Sequence, residues 1–133
     1  MTGYIVDASV AVEYLLRTPE GRRVEDIIRD RQLAAPEMLD AEILSILRRH
    51  VASEKLPTGR AETALRDAAA VPIRRVPHRD LLVTAWHNRH NVSAYDALYV
   101  AAAQLLDAPL LTADGRLTRA PNLGIAIHHV QLS

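Results

Sequence analysis

The sequence predicts an α/β fold in three layers: a short, mainly parallel central sheet of about five strands flanked by helices. Three observations predict it. Short apolar runs alternate with longer stretches of helical period along the whole chain. Two of those runs, Tyr4–Val6 and Leu110–Thr112, lead within two residues into an aspartate, Asp7 and Asp114. Acids placed so would sit at the carboxyl edge of a parallel sheet, where open α/β folds bind ligands. No repeat, low-complexity tract or linker interrupts the 133 residues, so one domain spanning 1–133 is expected.

The elements follow in order. Tyr4–Val6 is the first strand, and Ser9 is expected to cap a helix from Val10 to Leu16. Thr18-Pro19-Glu20-Gly21 punctuates the chain, and a second helix runs to Arg31. Leu33–Ala35 is a short strand ended by Pro36. The helix from Glu37 to Ser53 sets Leu39, Ile43, Ile46, Leu47 and Val51 on one face. Thr58 is expected to cap a helix to Ala70 without a full capping box, since position 61 is alanine. Ile73–Val76 is a third strand between Pro72 and Pro77, and Arg79–Asn88 is helical. Ser93 opens a helix to Leu106 with Ala94, Ala97, Leu98, Ala101 and Leu105 as its buried stripe. Leu110–Thr112 and Ile125–His128 complete the strands.

Composition narrows the function. Hydrophobic residues make up 49% and charged residues 24%, as in soluble globular proteins. With no cysteine, neither a disulfide framework nor a thiolate zinc site is available. No apolar run approaches the roughly 20 residues of a membrane span. No basic segment and apolar stretch precede the first strand, so an intracellular, cytoplasmic protein is expected. Of the 16 basic residues only Lys55 is lysine. Arginine suits phosphates and carboxylates, although high-GC codon usage gives the same bias. Net charge is zero, so the chain without four acids discussed next carries +4. A nucleic-acid binder need not be basic overall if cations fill its acidic pocket and arginines ring it.

Those four acids are Asp7, Glu42, Asp96 and Asp114. Each has a purely structural explanation beside a functional one. Asp7 follows a strand and would serve as a helix cap, but Ser9 is available for that duty. Glu42 borders the apolar face of its helix, and Asp40, two residues away and pointing elsewhere, competes with it. Ser93-x-x-Asp96 resembles a capping box. Asp114, before Gly115, has the setting of a turn aspartate. What sets the quartet apart is that all four fall near one predicted edge of the sheet. Nothing in the chain neutralises all four, which makes them a candidate site for hard divalent cations.

Three segments carry a resemblance: YIVDASVAVEYLL at the start, PEMLDAEILSIL in the middle, and above all SAYDALYVAAAQLLDAPLLTADGRL. Together they resemble a PIN domain, specifically a VapC-type toxin ribonuclease of a type II toxin–antitoxin system. The resemblance spans nearly the whole chain. It implies that Asp7, Glu42, Asp96 and Asp114 are the catalytic, metal-holding acids, and it selects Glu42 over Asp40. Asp114 is the member that often acts through water. Ser9 and Thr112 match small hydroxyl positions near the metal. At Ser45, three residues after the glutamate, the family often has asparagine, so a supporting hydrogen bond differs there.

The implied activity is Mg²⁺- or Mn²⁺-dependent RNA hydrolysis with one or two ions, leaving a 3′-hydroxyl and a 5′-phosphate. The implied partners are a VapB-type antitoxin and a second copy in a homodimer. Such an antitoxin wraps apolar grooves and places an arginine in the acidic pocket. Arg17, Arg48, Arg49, Arg89, Arg116 and Arg119 are candidates for RNA contact by their position near the acidic edge. Four tyrosines, one tryptophan and no phenylalanine leave few platforms for base stacking.

Rival readings fare less well. Histidine chemistry on a ribose hydroxyl would need partners for His87 and His90 or for His128 and His129, and neither pair has an evident one. A phosphoacceptor receiver needs a lysine after the last strand, and Lys55 is far from that place. A haloacid-dehalogenase-like phosphatase needs Asp-x-Asp where this chain has Asp7-Ala8-Ser9. A catalytically inactive PIN-like RNA- or protein-binding module stays as the alternative because of Ser45.

Overall fold

The computed structural model describes residues 2–120 and 123–132. The expected domain limits at Met1 and Ser133 lie outside the described residues. The chain runs β1 (Tyr4–Val6), α1 (Ala8–Leu16), α2 (Pro19–Ile28), β2 (Leu33–Pro36), α3 (Leu39–Ala52), α4 (Thr58–Ala70) and β3 (Ile73–Val76). It continues with a 3₁₀ turn (His78–Asp80), α5 (Leu82–His87), α6 (Ala94–Leu106), β4 (Leu110–Thr112), a 3₁₀ turn (Gly115–Arg119) and β5 (Ile127–His129).

Five strands form one sheet in the order β3-β2-β1-β4-β5, and every pairing is parallel. Strands buried on both faces read as continuous apolar runs. β2 and β4 are buried throughout, and Ile5 and Val6 of β1 are buried, whereas the edge strands β3 and β5 are largely accessible. From β1 the chain steps outward to β2 and β3, then crosses back to β4 on the other side of β1. Right-handed crossovers therefore send α1–α4 to one face and α5–α6 to the other. In agreement, α1 packs on α2, α3 and α4, while α6 lies against α5 and strands β1, β2 and β4. The reversal of strand order puts the topological switch point between β1 and β4, the place where open α/β sheets have their ligand crevice, at the carboxyl ends of the strands.

Several element ends differ from expectation, each for a local reason. Asp7, not Ser9, caps α1: its carboxylate accepts from the Val10 N–H, so the helix begins at Ala8 and Ser9 falls inside the first turn. α2 stops at Ile28, because Arg29 is extended and Asp30 adopts φ 60°. Pro57 occupies the cap of α4 and provides no side-chain bond, which places Thr58 within the helix. The expected 79–88 helix splits into a 3₁₀ turn and α5. The stripe on α6 is shifted: Ala94 and Leu105 are exposed, while Tyr99, Val100, Ala102 and Ala103 are buried. A helix packed on both a sheet and a neighbouring helix buries more than one stripe. β5 begins two residues later than expected, at Ile127.

Candidate active site

The crevice is built around Asp7. Its side chain is only 8% exposed and accepts three hydrogen bonds. Oδ1 takes the Ser9 hydroxyl at 2.6 Å and the Val10 N–H at 3.1 Å, and Oδ2 takes the Thr112 hydroxyl. Both hydroxyls also bind the β4 loop: Thr112 Oγ1 accepts from the Asp114 N–H and Ser9 Oγ from the Ala113 N–H. The loop that carries Asp114 is thereby stitched to the end of β1. Burial raises the Asp7 pKa above the ordinary aspartate value. The three hydrogen bonds oppose that rise, and the neighbouring Asp114 charge adds to it.

Glu42 arrives from the first turn of α3 and is half-buried. Its Oε1 accepts from the Tyr99 hydroxyl at 2.6 Å. Desolvation raises its pKa first; the Tyr99 bond counteracts this, and the charges of Asp7 and Asp96 add to the rise. The Tyr99 phenol is itself pushed far upward, by burial and then by its bond to Glu42. Asp40 is held elsewhere. The Arg75 guanidinium on β3 binds both its carboxylate oxygens, the shorter contact being 2.7 Å.

Asp96 lies in the first turn of α6, and its N–H donates to Ser93 Oγ at 3.2 Å, so Ser93 caps the helix while the Asp96 carboxylate stays outside that bond. Its charge acts on Glu42 and on Arg116. Asp114 caps the 3₁₀ turn after β4 and is gripped by Arg116, whose Nη2 reaches Oδ2 at 2.6 Å and whose Nε spans both oxygens. That bond holds the Asp114 carboxyl below the ordinary aspartate range against a smaller effect of burial, and the Arg119 charge assists.

The fields connect the quartet in sequence: Asp114 acts on Asp7, and both Asp7 and Asp96 act on Glu42. Among the described residues, no three acidic or histidine side chains already form a metal-coordinating group. The quartet is a neighbourhood of carboxylates, two of them held by Tyr99 and Arg116, rather than a closed cage. Its donor set nonetheless fits a hard divalent cation: oxygen atoms only, like charges crowded together, and one carboxylate kept buried by neutral donors. Asp7, Glu42 and Asp96 would hold such an ion, with Asp114 beside them.

The remaining expected residues are scattered. Ser45 is exposed on α3, three positions after Glu42. Arg116 and Arg119 flank Asp114. Arg17 is the C-cap of α1, at the opposite end of that helix from Asp7. Arg48 and Arg49 are exposed towards the end of α3, roughly 9–11 Å along the axis from Glu42. Arg89 stacks on the Trp86 ring at 4.5 Å. Of the histidines, His128 Nδ1 meets the Tyr4 hydroxyl and His129 Nε2 meets the Ala113 carbonyl. Sequence reasoning missed Tyr99 and His78 at the site. His78 Nε2 accepts from the N–H of Met38, the N-cap of α3, four residues before Glu42. Tyr99 had a signal, because it stands three positions after Asp96 on one helix face.

A parallel α/β sheet with an acidic, oxygen-only cluster at its switch point has the donor chemistry for hard divalent cations. The PIN domain model matches residues 4–123. Ribonuclease VapC1 of Mycobacterium tuberculosis is 40% identical over 129 residues, covering 96% of this chain and 97% of that protein. VapC ribonuclease Mb0985 of Mycobacterium bovis is 38% identical over 114 residues, 86% of this chain and 87% of that one. The chain belongs to the PIN domain family and, within it, to the VapC type. Two solved structures share its fold. One is the Sarcin-Ricin loop cleaving toxin VapC20 of Mycobacterium tuberculosis, with TM-score 0.65, 16% identity and coverage of 96% and 99%. The other is VapBC2 from Rickettsia felis bound to a DNA fragment from their promoter, with TM-score 0.61, 13% identity and coverage of 95% and 97%.

Proposed function

We propose that this chain is a metal-dependent endoribonuclease, the toxin of a toxin–antitoxin pair, and that Asp7, Glu42, Asp96 and Asp114 are its site. The observation that carries the reading is Asp7, a buried carboxylate kept in place by two hydroxyls and a helix N–H, with three further acids around it. Burying a charge without a cation is costly, so a carboxylate preorganised this way is poised for one. Mg²⁺ or Mn²⁺, one ion or two, would activate water and stabilise charge on the phosphate.

The chain's own residues do the rest. Ser9 and Thr112 fix both oxygens of Asp7, Tyr99 fixes one oxygen of Glu42, and Asp114 orients water or completes a second position. Arg116 and Arg119 supply positive charge beside Asp114, where an RNA phosphate would approach. Arg17, Arg48, Arg49 and Arg89 would serve only the outer reach of a long RNA.

The remaining partners belong to the same reading. A VapB-type antitoxin would cover the first helices and present an arginine to the acids, as a guanidinium pairs with carboxylates. Leu82, Val83, Trp86 and Tyr95 are large apolar side chains exposed on α5 and early α6, which supports a homodimer through that side. No helix among the described residues is long and apolar enough to cross a membrane, and the cytoplasm is the proposed compartment. Cleavage of RNA in Mg²⁺ or Mn²⁺, its loss in chelator, and 5′-phosphate product ends are the expected results. Undiminished cleavage in chelator would overturn the metal reading.

A further inference from the structure

Tyr99 is outside the acidic quartet, yet it links the helix that carries Asp96 to the helix that carries Glu42. It lies on α6, three residues after Asp96, so the two occupy neighbouring positions on one helix face. Its side chain is only 3% exposed, and its hydroxyl donates to Glu42 Oε1 on α3 at 2.6 Å. One phenol oxygen thus clasps Glu42 from the helix that carries Asp96.

We propose that Tyr99 is a positioning residue that holds Glu42 in the crevice and so sets the site's affinity for a divalent cation. A glutamate has three side-chain torsions, and one left free on a helix surface must be ordered when an ion binds. The clasp orders it beforehand. It does so with a neutral donor at one oxygen, so the carboxylate keeps its charge, and Oε2 carries no hydrogen bond among the described residues. Asp40 makes the contrast: Arg75 binds both its oxygens and compensates its charge. A tyrosine clasp prepares a ligand, whereas an arginine clasp occupies one.

The proposal rests on the metal-dependent reading and adds to it a residue outside the carboxylates. Its test is Mn²⁺ titration by calorimetry on the whole chain, comparing the wild type, Tyr99→Phe, Glu42→Asp and the double variant. Phenylalanine keeps the ring and removes the hydroxyl, and Glu42→Asp keeps the charge but draws it back from Tyr99. Tyr99→Phe is expected to weaken Mn²⁺ binding by about tenfold or more, the usual effect of removing a group that orients a ligand. Added to Glu42→Asp, it is expected to cause no further loss. Wild-type Mn²⁺ affinity in Tyr99→Phe would overturn the proposal, as would an equal loss in both backgrounds, which marks a general packing effect. Absence of Mn²⁺ binding by the wild type would instead overturn the metal reading, and this proposal with it.

Discussion

Replacing Asp7 in two ways separates its structural from its chemical role. Asp7→Asn and Asp7→Ala both remove the buried charge, so the difference between them reports the hydrogen bonds and the packing of the side chain. Asparagine keeps an acceptor for the Val10 N–H and caps a helix nearly as well as aspartate. Alanine loses the cap, about 1 kcal/mol. The fully buried Thr112 hydroxyl loses its acceptor in both variants, because asparagine with its oxygen on the Val10 N–H turns an amide donor towards it, so that loss cancels in the comparison. Asp7→Ala should therefore be less stable than Asp7→Asn by about 1 kcal/mol, the cap alone. At about 4 °C per kcal/mol for a chain of this size, the gap in Tm is roughly 4 °C.

Against the wild type the sign reverses. Burial raises the Asp7 pKa in the folded state, so the folded protein binds that proton more tightly than the unfolded chain does. The stability linked to it is complete below the unfolded aspartate pKa and is lost as pH rises through the folded value. At neutral pH in chelator, Asp7→Asn should melt no lower than the wild type, and that advantage should disappear on acidification. Both variants should lose RNA cleavage. Thermal melts in chelator across acid to neutral pH, paired with a cleavage assay in Mn²⁺, test the whole chain of reasoning. Equal Tm values for the two variants would refute the hydrogen-bond account, and an active Asp7→Asn would refute the site.

Three further outcomes are expected. Asp40→Asn removes a half-exposed ion pair and should cost less than about 1 kcal/mol while sparing cleavage, whereas Glu42→Gln should abolish it; chemical denaturation and an RNA assay compare them. Arg116→Gln should return the Asp114 pKa towards the ordinary aspartate value, read by carbon-13 NMR of its carboxyl. The stability that this depressed pKa gives above the unfolded value, and loses as pH falls through the folded one, should go with it. A Cβ at Gly21 would lie 2.0 Å from the Glu13 carbonyl oxygen, so Gly21→Ala must separate α1 from α2. That should cost about 2 kcal/mol or more in urea melts, although alanine favours helices.

How much the sequence revealed depends on how local each interaction is. β1, β3 and β4 were legible to the residue, because short apolar runs between breakers have few other uses. Element ends were less so. Ser9 and Asp7 were both suited to cap α1, and the choice turned on which side chain reaches the Val10 N–H. The stripe on α6 was misplaced because its neighbours come from β1, β2, β4 and α5, which helical period does not encode.

The same division runs through the candidate site. By itself the sequence determined an α/β chain with an acid after the first and fourth strands, oxygen donors without thiolates, and a likeness to PIN domains. Those are properties of residue type and period. Only the tertiary structure decided that Asp40 faces Arg75 while Glu42 faces Tyr99, although the two acids are two residues apart on one helix. It also decided that Thr112 and Ser9 tie the Asp114 loop to Asp7, and that Arg116 grips Asp114. Apart from Arg116–Asp114 and the short Ser9–Asp7 and Thr112–Asp114 links, these contacts join residues far apart in the chain. Sequence spacing carries no record of them, because the packing of α3 and α6 around the β1–β4 crevice sets which side chains meet.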